Sequence, residues 1–392
     1  MNRSLEPRAE HKEFVLSTLA EDMILSNDSD FLHLGNMSPD AMSPQFKLQP
    51  YYGDQLELYR DFYSSIHGYI SIMVCLFGIT ANCMNIIVLT RKNMISPINV
   101  ILTGLAVADM MVMISYVPFS FHNYLRTGLE EKEKFTFSWA LFTLFHAHFT
   151  VVNHTIATWL TVTVAIWRFM AVCYPAPTMR YRGLAQARIA IVCTYITCAV
   201  FCIPNYLTFT VASSLDNQNN TIYKVNFSEL AMRHGGLLAS INFWMFSVIS
   251  KLVPCVALTG LSFSLLRVLY EANLRRQRLK VGSDSDKTHD RTTKMLLAVL
   301  FLFLLTQFPS GMLALLSGAL GNDFFSNVYL NFGETMDILS LINSAVNFII
   351  YCSMSRQFRL TFTFLFFTRF SKDKWAAVPP SEPTQTIGTA CV

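Results

Sequence analysis

The sequence predicts an all-α membrane protein, a seven-transmembrane helix bundle with a short amphipathic helix after the seventh span. The 392-residue chain is 52% hydrophobic and only 14% charged, whereas soluble domains carry about 25% charged residues. Seven apolar runs are each long enough to cross a bilayer, which takes about 20 residues. Basic residues are unevenly divided between the connections. This composition excludes a disordered chain, a disulfide-rich secreted domain and most soluble enzymes.

The elements follow one another from a polar start to a polar end. Residues 1–65 hold eleven acids and five basic residues, and we expect them to form a flexible, glycosylated extracellular tail. Residues 66–365 are the predicted membrane domain. Residues 366–392 are rich in Pro, Ser and Thr and are expected to be a disordered cytoplasmic tail. The predicted spans are 66–90, 98–122, 138–172, 184–207, 241–270, 293–318 and 330–352.

The basic residues predict the orientation. With the N-terminus outside, the inner segments carry nineteen Lys and Arg and the outer segments ten, as the positive-inside rule requires. We therefore expect a multi-pass plasma membrane protein with an extracellular N-terminus. The net charge of +4 gives no reason to expect nucleic-acid binding. The N-glycosylation pattern occurs on the predicted outer side at Asn2, Asn27, Asn36, Asn219 and Asn226.

Few charges remain inside the spans, where each costs about 2.5–3.5 kcal/mol on insertion scales. Asp109 lies mid-span and is either a partner for a neighbouring helix or an ion or protonation site. Glu334 and Asp337 share one helix face and form either a solvated helix end or an anionic patch for a cationic ligand. Lys251 lies three residues before Pro254 and either snorkels or faces a cavity.

The remaining polar residues of the spans do not predict an enzyme. His146 and His148 point in different directions on a helix, so we expect them to line a pocket or bond between helices, with no metal site. The sequence contains no glycine-rich phosphate loop, no HExxH and no nucleophile motif. Pro204, Pro254 and Pro309 lie within predicted spans and are expected to kink them, which opens a cavity and supplies hinges.

Several short motifs, in order and correctly spaced, resemble the class A (rhodopsin-like) G-protein-coupled receptors over residues 66–365. Arg168 ends the third span where that family has its arginine motif. The segment 343–351 (NSAVNFIIY) resembles the NPxxY segment, and 355–362 (SRQFRLTF) resembles the amphipathic helix on the inner leaflet. The other residues that carry the resemblance are Asn82 in GITANCMNIIVL, Asp109 in LAVAD, Trp139, Pro254 and Pro309.

Two longer segments are most similar to the invertebrate neuropeptide receptors of the FMRFamide and myosuppressin group. They are residues 144–175, which contain AIWR, and residues 259–280. The resemblance implies a short amidated peptide ligand that ends in Arg-Phe-amide. Thr150 stands where amine receptors carry an Asp, so an aminergic ligand is not expected.

The departures from the family pattern carry their own predictions. Trp167 precedes Arg168 where the family has an acid, which implies a weaker inner lock and raised basal signalling. Gln307 replaces the usual Trp in FLLTQFP, and Phe348 replaces the Pro of the NPxxY segment. Thr143 occupies the place of a cysteine, and residues 207–240 contain none. The second outer loop must therefore be ordered without the usual disulfide.

The resemblance implies a ligand site near the outer ends of the helices. Glu334 and Asp337 suit the arginine of the peptide, Gln307 suits its terminal amide, and aromatic residues, among them Phe119 and Phe121, suit its phenylalanine. Rival interpretations are a receptor for a lipid or other small molecule and, less favoured, a seven-span transporter or channel. The candidate ligand-binding residues are Asp337, Glu334, Gln307, Lys251, Thr150, His146, Trp244 and Phe332.

The implied partners of the inner face are a heterotrimeric G protein and arrestin. The basic residues Arg180, Arg182, Arg275, Arg276 and Arg278 suit either the G protein or anionic lipid of the bilayer. No cofactor is expected beyond a sodium ion at a central cluster of Asp109, Asn343, Ser344 and Asn347, where Ala157 replaces a frequent Ser. The candidate coupling residues are Arg168, Trp167, Asn347, Tyr351, Pro309, Pro254 and Phe303.

Overall fold

The computed structural model describes residues 53–126, 128–173, 183–216, 218–278, 285–320 and 324–367. The predicted glycosylation sites Asn2, Asn27 and Asn36, the loop residues Arg180 and Arg182, and residues 368–392 of the predicted tail lie outside these ranges.

Long helices make up most of the described chain. We number them α1 (Gly53–Leu89), α2 (Pro97–Ser120), α3 (Phe137–Cys173), α4 (Leu184–Phe201), α5, α6 (Ser285–Leu320), α7 (Gly333–Met354) and α8 (Arg356–Phe366). Helix α5 has three consecutive parts, an α-helix Glu229–Trp244, a π-helix Met245–Leu252 and an α-helix Val253–Arg278. Shorter pieces connect them, namely Lys92–Met94, Phe121–Leu125, Glu131–Lys134, Ile203–Thr208, Phe325–Tyr329 and Leu330–Phe332.

The predicted all-α membrane bundle is confirmed. Six helical stretches within the described residues are long and apolar enough to cross a bilayer. The described apolar part of α6, Phe301–Ser317, is shorter and supplies the seventh predicted span. The six stretches are Gln55–Leu89, Pro97–Leu125, Phe137–Ala171, Leu184–Thr208, Gly236–Val268 and Asn327–Ser353.

Helix α2 lies at the centre of the packing, between α1 and α3, and α7 packs against α1 and α6. An inner apolar cluster joins α2, α3, α7 and α8 through Leu105, Leu160 and Phe358. Gly78 allows α1 to approach α2 closely, since a Cβ there would lie 2.2 Å from Met113 Sδ. These contacts fix the helices whose polar side chains form the candidate site.

Helix α1 corrects the predicted N-terminal tail. It begins at Gly53, so residues 53–65, predicted as tail, are helical. Two bonds hold this extension against α7: the hydroxyls of Tyr59 and Thr335 lie 2.7 Å apart, and Ser64 donates to Glu334 over 2.9 Å. The segment GDQLELYRDFYSS is rich in good helix formers, and its polarity fits a helix that projects beyond the bilayer.

The three prolines act differently from one another. Helix α4 ends at Phe201, and Pro204 lies in the first turn of the separate piece Ile203–Thr208. The distortion expected at Pro204 therefore takes the form of a break at Cys202 within the helical stretch Leu184–Thr208, because a proline, which lacks an N–H, begins a helix more readily than it continues one. Pro254 is the second residue of the α-helical part that follows the π-helix of α5, and Pro309 lies inside α6.

A β-hairpin fills the connection between α4 and α5. Strands β1 (Phe209–Leu215) and β2 (Thr221–Phe227) are antiparallel, with Phe209 opposite Phe227 and Leu215 opposite Thr221. The eight cysteines of the described chain all have free thiols. The hairpin is therefore held by hydrogen bonds and packing, which agrees with the absence of cysteine from residues 207–240.

Candidate functional site

The outer end of α7 carries two carboxyl groups at different depths. Glu334 accepts hydrogen bonds from Ser64 at 2.9 Å and from Tyr124. Asp337, one turn deeper, accepts a hydrogen bond from Tyr116. Within the described structure, Glu334 Oε2 and Asp337 Oδ2 are buried and have no hydrogen-bond partner. Each carboxyl group thus keeps one acceptor for a further donor, and this need distinguishes the pair from a solvated helix end.

Tyr116 connects the deeper acid to α1. Its hydroxyl lies 3.0 Å from His67 Nε2, and both residues are buried. The sequence reasoning singled out neither residue. The spacing could have identified Tyr116, however, because it lies seven residues after Asp109 and therefore on the same face of α2.

Lys251 faces the interior of the bundle. Its ammonium donates to Gln307 Oε1 at 3.0 Å, and Gln307 Nε2 donates to Ser340 Oγ at 3.3 Å. The ammonium also lies 5.6 Å from the centre of the Phe246 ring. The structure thus favours the cavity interpretation of Lys251 over snorkelling and joins α5, α6 and α7 through one polar chain.

A cluster of buried aromatic rings joins α2 and α3. The His146 ring stacks on Phe119 with centroids 4.5 Å apart and meets Tyr116 edge to face at 5.6 Å. His146 Nδ1 lies 3.1 Å from Ser115 Oγ and 3.4 Å from Thr150 Oγ1. His146 therefore lies buried between α2 and α3, with Thr150 beside it. In the described residues, no group of three or more His, Cys, Asp or Glu is arranged to hold a metal ion.

The other aromatic residues predicted to contact the ligand differ in exposure and in their neighbours. The Phe332 ring lies 5.5 Å from that of Tyr59, near the acidic pair. Trp244 is 43% exposed and contacts Phe243, and Phe121 is 53% exposed. Neither exposed ring shares a contact with the acidic pair in the described structure. Phe332 is better placed than these rings to contact a ligand beside the acidic pair, whereas Phe119 is 1% exposed and packed on Tyr116 and His146.

The β-hairpin covers the outer end of α3. The Tyr223 amide donates to the Phe135 carbonyl at 2.9 Å, and the Lys224 ammonium lies 4.6 Å from the Phe135 ring centre. Below the hairpin, Asn205 donates to His148 Nδ1 at 2.9 Å and accepts from Asn242 at 3.2 Å. These contacts tie the second outer loop to α3 and α5, and they place His148 in an interhelical bond, away from His146.

The turn of the hairpin is held by hydrogen bonds to the Asp216 carboxylate. Asp216 Oδ1 accepts from the amides of Gln218 and Asn220 at 2.8 and 2.7 Å, and Asn220 Nδ2 donates to Oδ2 at 3.0 Å. The Asn220 side chain, helped by both amides, lowers the pKa of Asp216. Asn219 is exposed in this turn with a φ of 64°, whereas Asn226 lies in β2.

A central cavity of about 40 Å³ lies between the outer polar chain and the inner face. Asp109 is buried, accepts from Asn347 Nδ2 at 3.2 Å and also accepts from Ser344. Asn343 lines the same cavity. A carboxylate with hydroxyl and amide oxygens around it is a donor set that fits a hard cation such as sodium. Asn82, outside the cavity, bonds α1 to the Ser344 carbonyl at 3.0 Å.

The inner end of the cavity contains Arg168 and Tyr351. In the described chain, Arg168 Nε and Trp167 Nε1 are buried atoms without a hydrogen-bond partner. Phe303 packs between α3 and α5, against Val162 and Leu258. Among the candidate coupling residues, Arg168, Asn347 and Tyr351 therefore share one cavity. Phe303 also lines it, whereas Pro254 of α5 and Pro309 of α6 are not among the lining residues.

Comparison with known proteins shows which family the chain is similar to. The family described as "Serpentine type 7TM GPCR chemoreceptor Srw" matches residues 69–369. The chain is 32% identical over 354 residues to the G-protein coupled receptor dmsr-1 of Caenorhabditis elegans, covering 77% of this chain and 68% of that protein. It is 28% identical to the sex peptide receptor of Drosophila melanogaster, over 79% of this chain and 74% of that protein. It is 26% identical to the FMRFamide receptor of Drosophila melanogaster, with coverages of 78% and 55%.

Proposed function

The chain belongs to the seven-transmembrane G-protein-coupled receptor family, and from that premise we propose that it is a cell-surface receptor for short amidated peptides of the FMRFamide and myosuppressin kind. Its relatives are signalling receptors and not enzymes. The names of the relatives include an FMRFamide receptor and a sex peptide receptor, which supports a peptide as the class of ligand. The partner on the inner face is a heterotrimeric G protein, and we propose arrestin as a second partner.

The observation that carries the proposal is the pair of buried carboxyl groups on α7. Glu334 Oε2 and Asp337 Oδ2 each lack a hydrogen-bond partner in the described structure. A guanidinium group presents five N–H donors in a planar fork, so one arginine side chain offers enough donors for both oxygens. Such a charge-assisted interaction contributes about 1.5–3 kcal/mol. A lipid or other uncharged ligand would leave these carboxyl oxygens unpaired, which makes that alternative less favoured.

The rest of the peptide has complementary surroundings. Phe332, which lies beside Tyr59 near the acidic pair, is the aromatic residue best placed to contact the terminal phenylalanine. Gln307 lies deeper, where it suits the terminal amide. On binding, the ligand shifts the population of receptors toward the conformation that admits the G protein between the inner ends of the helices. Asn219, exposed in the hairpin turn, is then an extracellular glycosylation site, and the N-terminus is extracellular.

Peptide-evoked G-protein activation in cells that express the full chain tests the proposal. We expect Asp337→Asn and Glu334→Gln each to raise the half-maximal concentration of an Arg-Phe-amide peptide by about tenfold or more. Glu131→Gln is the matched control, because Glu131 lies in the short helix Glu131–Lys134 between α2 and α3 and is exposed. Unchanged potency in both α7 variants would exclude the acidic pair as the arginine site.

A further inference from the structure

His67 of α1 lies behind both tyrosines that donate to the acidic pair. Its Nε2 atom lies 3.0 Å from the Tyr116 hydroxyl, and Tyr116 donates to Asp337. The His67 ring also lies 5.0 Å from the ring of Tyr124, which donates to Glu334. We infer that His67 and Tyr116 form a hydrogen-bond relay that orients the Asp337 carboxylate for a cationic side chain of the ligand. The inference rests on the proposed function and adds two positioning residues that act through Asp337.

The hydrogen bonds of the relay run in one direction. A tyrosine hydroxyl has a single proton, and Tyr116 gives it to Asp337. Its oxygen can therefore only accept from His67, so the imidazole carries its proton on Nε2. His67 Nδ1 is then an acceptor, and it is buried without a hydrogen-bond partner among the described residues. The donors of the relay thus all point toward the carboxylate.

The relay determines which oxygen of Asp337 is left for the ligand. Oδ2 is buried and has no hydrogen-bond partner within the described ranges, so the bond from Tyr116 falls on Oδ1. A hydroxyl that accepts from an imidazole is a stronger donor, because hydrogen bonds in a chain polarise one another. The carboxylate is thereby held before the ligand arrives, and less side-chain entropy is lost on binding.

Tight packing keeps the relay in place. His67 and Tyr116 are both buried. The Tyr116 ring meets Phe119 and His146 edge to face, with centroids 5.7 and 5.6 Å apart. The His67 ring lies 5.5 Å from the ring of Tyr63. Side chains fixed by their neighbours in this way can hold a carboxylate to a defined geometry, so the relay joins α1, α2 and α7 at the level of the deeper acid.

Two peptides that differ in one charge test the relay. Phe-Met-Arg-Phe-amide and the same peptide with citrulline in place of arginine are applied to cells that express the full chain. Citrulline keeps the length and planar shape of arginine but is neutral, so it leaves a buried carboxylate without a cation. We expect the half-maximal concentration of the citrulline peptide, divided by that of the arginine peptide, to be about 30. Asp337→Asn should lower this ratio by about fivefold or more.

Variants of the relay should lower the same ratio. Tyr116→Phe removes one oxygen atom, the donor to Asp337, and we expect a ratio about fivefold lower. His67→Leu should lower the ratio by about threefold, whereas His67→Gln, which keeps a donor near the position of Nε2, should keep most of it. The double variant of His67→Leu and Tyr116→Phe should match Tyr116→Phe alone, because residues that act through one chain are not additive.

A purely structural role would leave the ratio unchanged. A variant that only loosens the helix packing weakens both peptides alike. Tyr195→Phe is the matched control, since the Tyr195 hydroxyl donates to the Gly104 carbonyl at 3.0 Å and joins α4 to α2 away from the acidic pair. It should keep the ratio of the unmodified receptor. Antibody staining of intact cells verifies that each variant reaches the surface.

The outcomes separate the relay from the proposed function. If Asp337→Asn lowers the ratio but Tyr116→Phe does not, or if His67→Leu and His67→Gln act alike, the relay is refuted and the proposed function stands. A larger loss in the double variant than in Tyr116→Phe would also refute it, because His67 would then act independently of Tyr116. Equal potency of the two peptides at the unmodified receptor would overturn the relay together with the arginine site. If neither this peptide nor longer peptides ending in Arg-Phe-amide activate the surface-expressed receptor, the proposed function and the relay are both overturned.

Discussion

The backbone amide of Tyr223 donates a hydrogen bond of 2.9 Å to the carbonyl oxygen of Phe135. This bond joins β2 to the segment that leads into α3. The Lys224 ammonium lies 4.6 Å from the centre of the same Phe135 ring, which adds a cation–π contact of about 0.5–1 kcal/mol. The second outer loop contains no cysteine, so these contacts anchor it in place of a disulfide.

Replacing Phe135 by alanine should loosen the hairpin. Phe135 is only 9% exposed, and a buried Phe→Ala change costs about 3–5 kcal/mol. We expect a lower melting temperature of the detergent-purified receptor and faster amide exchange over residues 221–227. Phe121→Ala is the control, because Phe121 is 53% exposed. A thiol reductant should leave the melting temperature unchanged. A melting temperature equal to that of the unmodified receptor in Phe135→Ala would contradict the anchoring role.

The hairpin turn should depend on the charge of Asp216. Its hydrogen bonds lower the pKa of the folded state below that of the unfolded chain. The stabilisation is therefore complete above the ordinary Asp pKa of about 3.9 and is lost as the pH falls through the lower folded value. At neutral pH, Asp216→Ala should increase amide exchange at Gln218 and Asn220. Asp216→Asn, which keeps an acceptor oxygen, should have a smaller effect, and equal exchange in all three proteins would refute the prediction.

An acid placed before Arg168 should lower basal signalling. Arg168 Nε has no partner in the described structure, and an adjacent carboxylate would pair with the guanidinium and favour the inactive conformation. A charged hydrogen bond of about 1.5–3 kcal/mol corresponds to a fall of about tenfold or more in the active population. We expect Trp167→Asp to reduce ligand-independent G-protein activation and Trp167→Phe, which adds no charge, to leave it unchanged. Equal basal output in both variants would argue against a missing lock.

The central cavity should respond to sodium. An ion held by Asp109, Ser344 and Asn347 would bridge α2 and α7, stabilise the present packing and oppose the rearrangement that an agonist requires. Replacing extracellular sodium by N-methylglucamine should raise agonist affinity by about fivefold. Asp109→Asn should abolish the dependence, and Asp216→Asn, outside the cavity, should keep it. Sodium dependence that persists in Asp109→Asn would place the ion elsewhere.

Much of the fold could be predicted from patterns along the chain. Long apolar runs predicted the spans, because only a helix satisfies its own backbone in a bilayer. The errors lie at the boundaries. Residues 53–65 are polar and were predicted as tail, yet bonds from Tyr59 and Ser64 to α7 hold them in the α1 helix. The hairpin of residues 209–227, which packs against α3, was not predicted.

The candidate site was only partly accessible to sequence reasoning. Asp109, Lys251, Glu334 and Asp337 were selected because a charge within the bilayer requires a partner. Ser64 and Tyr116, which donate to Glu334 and Asp337, lie on other helices, and no rule of spacing within α7 identifies them. Trp244, an aromatic residue at a helix end, is 43% exposed, and its place in the ligand site stays a prediction.

The sequence by itself determined that this chain enters a membrane, which segments span it and which few charges lie inside. Those properties follow from the composition of each segment and from the spacing of its apolar residues, and both can be read from one segment without the others. The tertiary structure decided which charges meet. Lys251 bonds to Gln307, 56 positions further along the chain, and Asn347 bonds to Asp109 across 238 positions. Such pairs depend on how helices pack against one another, and the pattern within a single helix does not contain that information.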